Sequence, residues 1–327
     1  MPHDLDRRSL QCLDLWFSVD SVKDDPATTE WKRTARLRQH QWAVRRGHGG
    51  HLGFHPYSGK ASGTSRKIVR VGSRLEGAYA RASRVNLVNE AAIRAAEERI
   101  ATAEPHQTLN TDRLWADLLS SMPLCFNLFG ELFKDDASAR RAVEAWWPDT
   151  PSGRVEVRFE HSPGRLDPRF LNNRSAFDVA FEINPAAITG RGIIGVETKY
   201  HEHAKVEVRP SDKRLPRYLQ VAERSDAFAE GWRDQVIGTN LQQIWLDHLL
   251  LLSMLQQNPR VWTRGRFVLV YPAENPSFAA AAKAYVSVLK RPETFEARTI
   301  ESLLEGVPAL SAGTVHLIRE RYLQSSG

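Results

Sequence analysis

Cysteine is almost missing from this chain. Only Cys12 and Cys125 occur in 327 residues, too few for a disulfide scaffold or a thiolate zinc site, and the natural reading is a reducing cytoplasm. Long apolar runs are missing too. The longest, Ile244 to Leu255, is interrupted by Asp247 and His248 and falls short of the ~20 residues that span a bilayer. The opening stretch MPHDLDRRSLQCLDLWFSVD carries acids and has no apolar core, so no signal peptide is expected. No internal repeat, low-complexity tract or G-x-S-x-G elbow is present. Gly59-Lys60 fails as a phosphate loop, because Phe54 and Ala61 stand where glycine and a hydroxyl residue are needed. What remains, 42% hydrophobic and 26% charged residues, is the composition of a globular protein with a real core.

The charge is unevenly placed. From Trp31 to Arg84 there are thirteen Lys or Arg and one acid, Glu76, a net of +12, while the rest of the chain is net −6. Such a separation points to a polyanion surface, most often for nucleic acid. Trp31, Trp42, Phe54 and Tyr57 are interleaved with the bases, so stacking could accompany phosphate contact. Arg45, Arg46, Lys60, Arg66, Lys67 and Arg70 are the candidate contacts. The competing reading is charge that is solvated, or that answers the acidic remainder of the chain across an internal or subunit interface; a homo-oligomer stays open.

Periodicity predicts a basic helix from Trp31 to Arg46, a Gly/Ser/His-rich loop over 47–66, and a helix from Asn86 to Ile100. Glu104-Pro105 marks the expected boundary between a basic, mainly helical region (1–105) and a core (106–327). Helices follow from Asp112, as cap, to Ser120, then over Pro123 to Phe133 and Ala137 to Trp147. The period then changes to two. Val155-Val157-Phe159, Phe177 to Ile183 and Ile193 to Tyr200 read as strands, an apolar helix spans Asp234 to Gln257, and Phe267 to Tyr271 is a last strand. This order predicts an α/β fold with a mixed central sheet flanked by helices.

The chemistry lies in SAFDVAFEI (175–183) and GIIGVETKY (192–200). Alternation places Phe177, Val179, Phe181 and Ile183 on one face and Asp178 on the other. A hairpin around Asn184 to Arg191, with Ile183 opposite Gly192, sets Asp178 opposite Glu197, about 5 Å away. Lys199 follows on the face of Glu197, about 7 Å along the strand. Two close carboxylates repel unless a cation separates them, and hard oxygen donors without thiolate favour Mg²⁺, with Mn²⁺ able to substitute. Lys199 then has a role in orienting or deprotonating a water, or in offsetting charge on a phosphorane; the set suits metal-assisted phosphodiester hydrolysis. The plain alternative is a surface Asp178–Lys199 ion pair of little worth. Glu182 reads as solvated. His48, His51 and His55 lack a clear fourth zinc ligand, and His201 and His203 around Glu202 read as a nucleic-acid contact or a solvated turn.

Asp178 followed by Glu197-Thr198-Lys199 in consecutive strands resembles the active-site signature of the PD-(D/E)XK nuclease superfamily. The segments VGSRLEGAYARASRVNLVNE, LLSSMPLCFNLFGELF, VRFEHSPGRL and GVETKYHE resemble a bacterial PD-(D/E)XK-like family over about Val71 to Tyr271. The resemblance implies a restriction-endonuclease-like core and a nuclease acting on nucleic acid, with DNA the expected partner. It implies Asp178, Glu197 and the Thr198 carbonyl as metal ligands and Lys199 as base or charge stabiliser. A further acid is expected from Glu160, with Glu144 as the lesser candidate, and a polar helix residue from Gln243 before Gln242. Met122 stands where related sequences lead one to expect Gln. The alternative function is a non-catalytic nucleic-acid-binding protein on the same scaffold, and a third is an enzyme using the same metal site on another substrate.

Overall fold

The structure, a computed structural model, describes residues 6–54, 69–107, 109–150, 153–185, 190–257, 261–305 and 309–323. The N-terminal part holds α1 (Arg7–Cys12), α2 (Pro26–Arg45), a small antiparallel pair β1 (Leu52–Phe54) and β2 (Arg70–Leu75), α3 (Gly77–Ser83) and α4 (Glu90–Ala101). Helices α5 (Thr111–Ala116), α6 (Ser121–Phe129) and α7 (Asp136–Trp146) lead into β3 (Arg154–His161), β4 (Phe177–Asn184) and β5 (Arg191–Thr198). The chain continues through α8 (Leu215–Ser225), α9 (Trp232–Val236), α10 (Gln242–Gln257), β6 (Trp262–Tyr271), α11 (Pro276–Ser287), β7 (Phe295–Thr299), α12 (Ile300–Leu304) and α13 (Ala312–Tyr322).

Strands β3 to β7 form one mixed sheet in chain order, antiparallel across β3–β4–β5 and parallel across β5–β6–β7. Helices cover both faces. On one side Val157, Phe159, Val179, Phe181, Val196 and Val268 pack with Trp31, Ala35 and Trp42 of α2 and with α4, α6 and α7. On the other, Ala180, Ile193, Phe267 and Leu269 pack with α8, α10 and α11. Residues from both sides of Glu104-Pro105 thus share one hydrophobic cluster.

Local chemistry sets the helix limits. Asp25 caps α2 by accepting from Thr28 N at 2.9 Å, with Pro26 in the first turn. The helix expected to start at the cap Asp112 is instead capped by Asn110, which accepts from Arg113 N, and Asp112 turns to Arg74 at 2.5 Å. The long helix expected over Asp234 to Gln257 is two helices. Gly238 adopts φ +78°, and its N–H is taken by Gln242 Oε1 at 2.8 Å rather than by a helical carbonyl. Strand β7, at the sheet edge, was not expected, and β6 begins five residues before Phe267.

Helix α13 closes over α2. Arg321, fully buried, donates to Gln39 Oε1 at 3.1 Å and Asn86 O at 2.7 Å, and its guanidinium lies 4.3 Å from the Trp42 ring centroid. Gln39 returns a bond to Arg321 O, and Arg38 donates to Tyr322 O, both at 2.9 Å.

Candidate active site

The β4–β5 hairpin takes the expected register, with Ile183 opposite Gly192 and Val179 opposite Val196. Beyond Val179 a side chain continues the ladder: Asp178 Oδ2 accepts from Thr198 N at 2.8 Å and Thr198 Oγ1 at 2.6 Å. On β3 the register that pairs Phe159 with Val179 and His161 with Phe177 brings Glu160 level with Asp178, where Glu160 has φ +49° and no ladder pair. This break, with the side-chain bond beside it, turns β4 out of simple alternation. Phe177 does not share the face of Val179; it packs toward Phe267 and over Gly195 on the opposite side. Gly195 is required there, since a Cβ would lie 2.5 Å from the Phe177 ring.

Glu197 and Lys199 share a face, with Lys199 Nζ 2.7 Å from Glu197 Oε1. Burial alone would lower the lysine pKa, but Glu197, then Asp247 and Glu202, outweigh it and raise it, so the ammonium is held firmly protonated. The plain alternative of an Asp178–Lys199 ion pair is not what forms; Lys199 pairs with Glu197.

Negative charge is concentrated here. Burial, then Glu197, then Glu160 push the Asp178 carboxyl well up, against the Thr198 bonds. Burial and Glu197 also raise Glu160, opposed by Arg165. Burial, then Glu197, raise Asp247, with Lys199 opposing. Three carboxyls destabilised as anions by burial and by Glu197 form, with it, a donor set that a divalent cation would relieve. Among the described residues no three His, Cys, Asp or Glu side chains form a ready-made cage, so a cation here would need backbone or water oxygens to complete its shell. Cys125 lies buried beneath, its thiol pushed well up by burial and by Asp178, an inert core group.

Glu160, Asp178, Glu197, Lys199 and Asp247 line a cleft of about 1210 Å³, together with Gln243 and Met122. Gln243 is exposed to it, whereas Gln242 is buried and structural, donating to Val208 O at 2.8 Å. Glu144 lies exposed on α7 and is not among the lining residues. Asp247, one turn beyond Gln243, is the acid the sequence reading passed over; its signal was a carboxylate breaking an otherwise apolar run.

The turn after β5 is not solvated. Glu202 accepts from Tyr200 N at 2.9 Å and Ser121 Oγ at 3.0 Å, His201 lies 3.0 Å from Asp20, and His203 lies 3.5 Å from Lys32. Glu182 is likewise not solvated: it is buried and paired with Arg158 at 3.2 Å. His48 contacts the Tyr79 hydroxyl and His51 stacks on its ring.

Much of the basic segment is paired within the chain, and Lys32, Arg36, Arg38 and Arg74 are buried. Of its ten described bases, Arg36, Arg38, Arg46, Arg70, Arg74, Arg81 and Arg84 sit within ion-pair distance of acids. Trp31 and Trp42 are core residues and offer no face to a base. Phe54 is exposed; Arg45 is exposed at the end of α2; Arg46 reaches Glu320, and Arg70 stands 3.8 Å from Asp14. Tyr57, His55, Lys60, Arg66 and Lys67 fall outside the described residues. The segment's bases that line the cleft are Lys32, Arg36 and Arg74.

A family model of the PD-(D/E)XK nuclease superfamily matches residues 23–324. The chain belongs to that superfamily. The match extends beyond the resembling segments at both ends, taking in α2 and α13. No curated protein and no solved structure gives a significant match. In this PD-(D/E)XK protein Asp178, Glu197 and Lys199, the residues that carry the resemblance, line one cleft with Glu160 and Asp247. Among the described residues no helix is long and apolar enough to cross a membrane.

Proposed function

We propose that this PD-(D/E)XK protein is a divalent-metal-dependent nuclease that hydrolyses phosphodiester bonds in DNA. The observation that carries the reading is the convergence of the Asp178 and Glu197 carboxylates with the Lys199 ammonium in one cleft. Asp178, Glu197 and the Thr198 carbonyl would hold the cation, Mg²⁺ or Mn²⁺, which when bound supplies Lewis-acid polarisation of a phosphoryl oxygen. Thr198 fixes one carboxylate oxygen of Asp178 and leaves Oδ1 without a recorded bond among the described residues. A protonated Lys199 acts as charge stabiliser for the developing phosphorane rather than as base. Glu160 and Asp247 sit where they can orient and accept a proton from the attacking water, and Gln243 offers an amide at the cleft wall. Arg45, Arg46, Lys60, Arg66, Lys67 and Arg70 remain the proposed outer contacts for the DNA backbone.

The test is cleavage of plasmid and of single- and double-stranded oligonucleotides with Mg²⁺, Mn²⁺ or EDTA. The reading expects cleavage with either metal, none in EDTA, and none by Asp178→Ala or Glu197→Ala. Binding without cleavage under every condition would instead assign a scaffold role, and neither binding nor cleavage would end the nucleic-acid reading.

A further inference from the structure

An acidic site that takes an anionic polymer needs cations that are not already neutralised. Of the seven Lys and Arg residues lining the cleft, six have hydrogen-bond or ion-pair partners. Lys32 donates to Val19 O at 2.7 Å, Arg36 is held by Asp20, and Arg74 by Asp112. Arg113 reaches Ser120 Oγ and Glu202, Lys199 is bound to Glu197, and Lys205 stands 3.5 Å from Glu207. Arg174 is exposed and, among the described residues, has no hydrogen bond or ion pair.

Its backbone, by contrast, is fixed. Asn173 O accepts from Leu166 N at 2.6 Å, Asn173 Oδ1 accepts from Ser175 N at 3.0 Å, and Asn173 Nδ2 donates to Tyr218 OH at 3.1 Å. The loop that holds Arg174 therefore enters β4 in a set geometry, four residues before Asp178. A pinned backbone that presents an uncommitted guanidinium to a cleft is the arrangement suited to bidentate contact with phosphate.

We propose that Arg174 is a phosphodiester contact of this cleft, holding the nucleic-acid backbone beside Asp178. The inference rests on the nuclease reading and adds a residue to it that lies outside both the signature and the basic segment. Each phosphate contact on duplex DNA contributes about 0.9 to the slope of log affinity against log salt.

The test measures binding of a labelled duplex oligonucleotide in EDTA, across a salt series, for the whole protein and for Arg174→Ala and Arg174→Lys, with melting temperature alongside. Arg174→Ala should bind about eightfold more weakly at 0.1 M than at 1 M salt relative to wild type, which is 0.9 log unit, and its slope should fall by ~0.9. Arg174→Lys should keep the slope. Melting temperatures should not change, because the side chain has no partner to lose. Wild type that binds while Arg174→Ala matches it in affinity and slope overturns this inference and leaves the nuclease reading standing. A loss shared by Arg174→Lys with an unchanged slope overturns it as well. Wild type that neither binds nor cleaves overturns both.

Discussion

Replacing Asp20 with Ala removes one partner of a buried ion pair. The Asp20 carboxylate is fully buried and takes two bonds from Arg36, from Nε at 2.5 Å and Nη2 at 2.8 Å, with His201 3.0 Å away. Burial alone would raise the Asp20 pKa, yet Arg36 and His201 hold it well below the ordinary value of 3.8. Arg36 is itself 6% exposed, so Asp20→Ala leaves a guanidinium in the interior with Ser73 Oγ as its remaining partner. Breaking such a pair costs about 3–5 kcal/mol. At roughly 2 °C per kcal/mol, the lower end suited to a chain of this size, the melting temperature should fall by about 6–10 °C. The double variant Asp20→Ala/Arg36→Met removes the orphaned charge and should recover much of that loss. Because the folded-state pKa is depressed, this stabilisation is fully present above pH 3.8 and is lost as pH falls through the folded value; Asp20→Asn should flatten that acid limb. Differential scanning calorimetry of the three variants across pH is the assay. If Asp20→Ala melts within about 1 °C of wild type, or the double variant is no more stable than the single, the pair does not hold the cleft wall as described.

Lys199→Ala should abolish cleavage while sparing Mg²⁺ affinity, whereas Asp178→Ala and Glu197→Ala should lose both, as read by single-turnover cleavage and calorimetric titration. Gly195→Ala forces a methyl against the Phe177 ring and should cost about 1–3 kcal/mol in denaturant unfolding; a neutral result would mean the strands can shift there freely. His248, buried between the Tyr285 and Thr294 hydroxyls, has its pKa lowered by burial to about 3. It is neutral when folded and titrates near 6.5 when unfolded, so it should destabilise the protein progressively as pH falls from 6.5 toward 3. His248→Gln should be less stable at neutral pH but flatter across that window, in urea titrations at each pH.

What the sequence revealed of this fold follows from range. The β4–β5 hairpin was legible because alternation and a short connection fix a register between neighbours in the chain. Asp178 and Glu197 could therefore be brought together by counting. The turn of Phe177 to the far side was not legible, because it depends on Glu160 of another strand and on Asp178 using its side-chain carboxylate as the ladder partner of Thr198 N. Strand β7 (FEART) has too few apolar residues to show a period, and forms because β6 offers it a parallel edge. Asp247 joins the cleft only once α10 is laid across the sheet. The ion pairs of the basic segment were the least legible. Its charge looked outward because its acidic partners, from Asp14 to Glu320, lie 13 to 274 residues away, beyond any local pattern.

The clasp of α13 on α2 sets an order of events at the ribosome. Gln39 and Arg321 are 282 residues apart, an interval of roughly 15–60 s at ordinary rates of synthesis. During that interval the sheet that carries Asp178, Glu197 and Lys199 emerges and Tyr200 comes within reach of Gln39, but the part of the α2 face that Arg321 covers stays open. Lys32 and Arg36, which wall the cleft, are carried by this same helix. The cleft therefore gains its settled wall only after α13 has emerged, and Asp178, Glu197 and Asp247 leave the ribosome ahead of that closure.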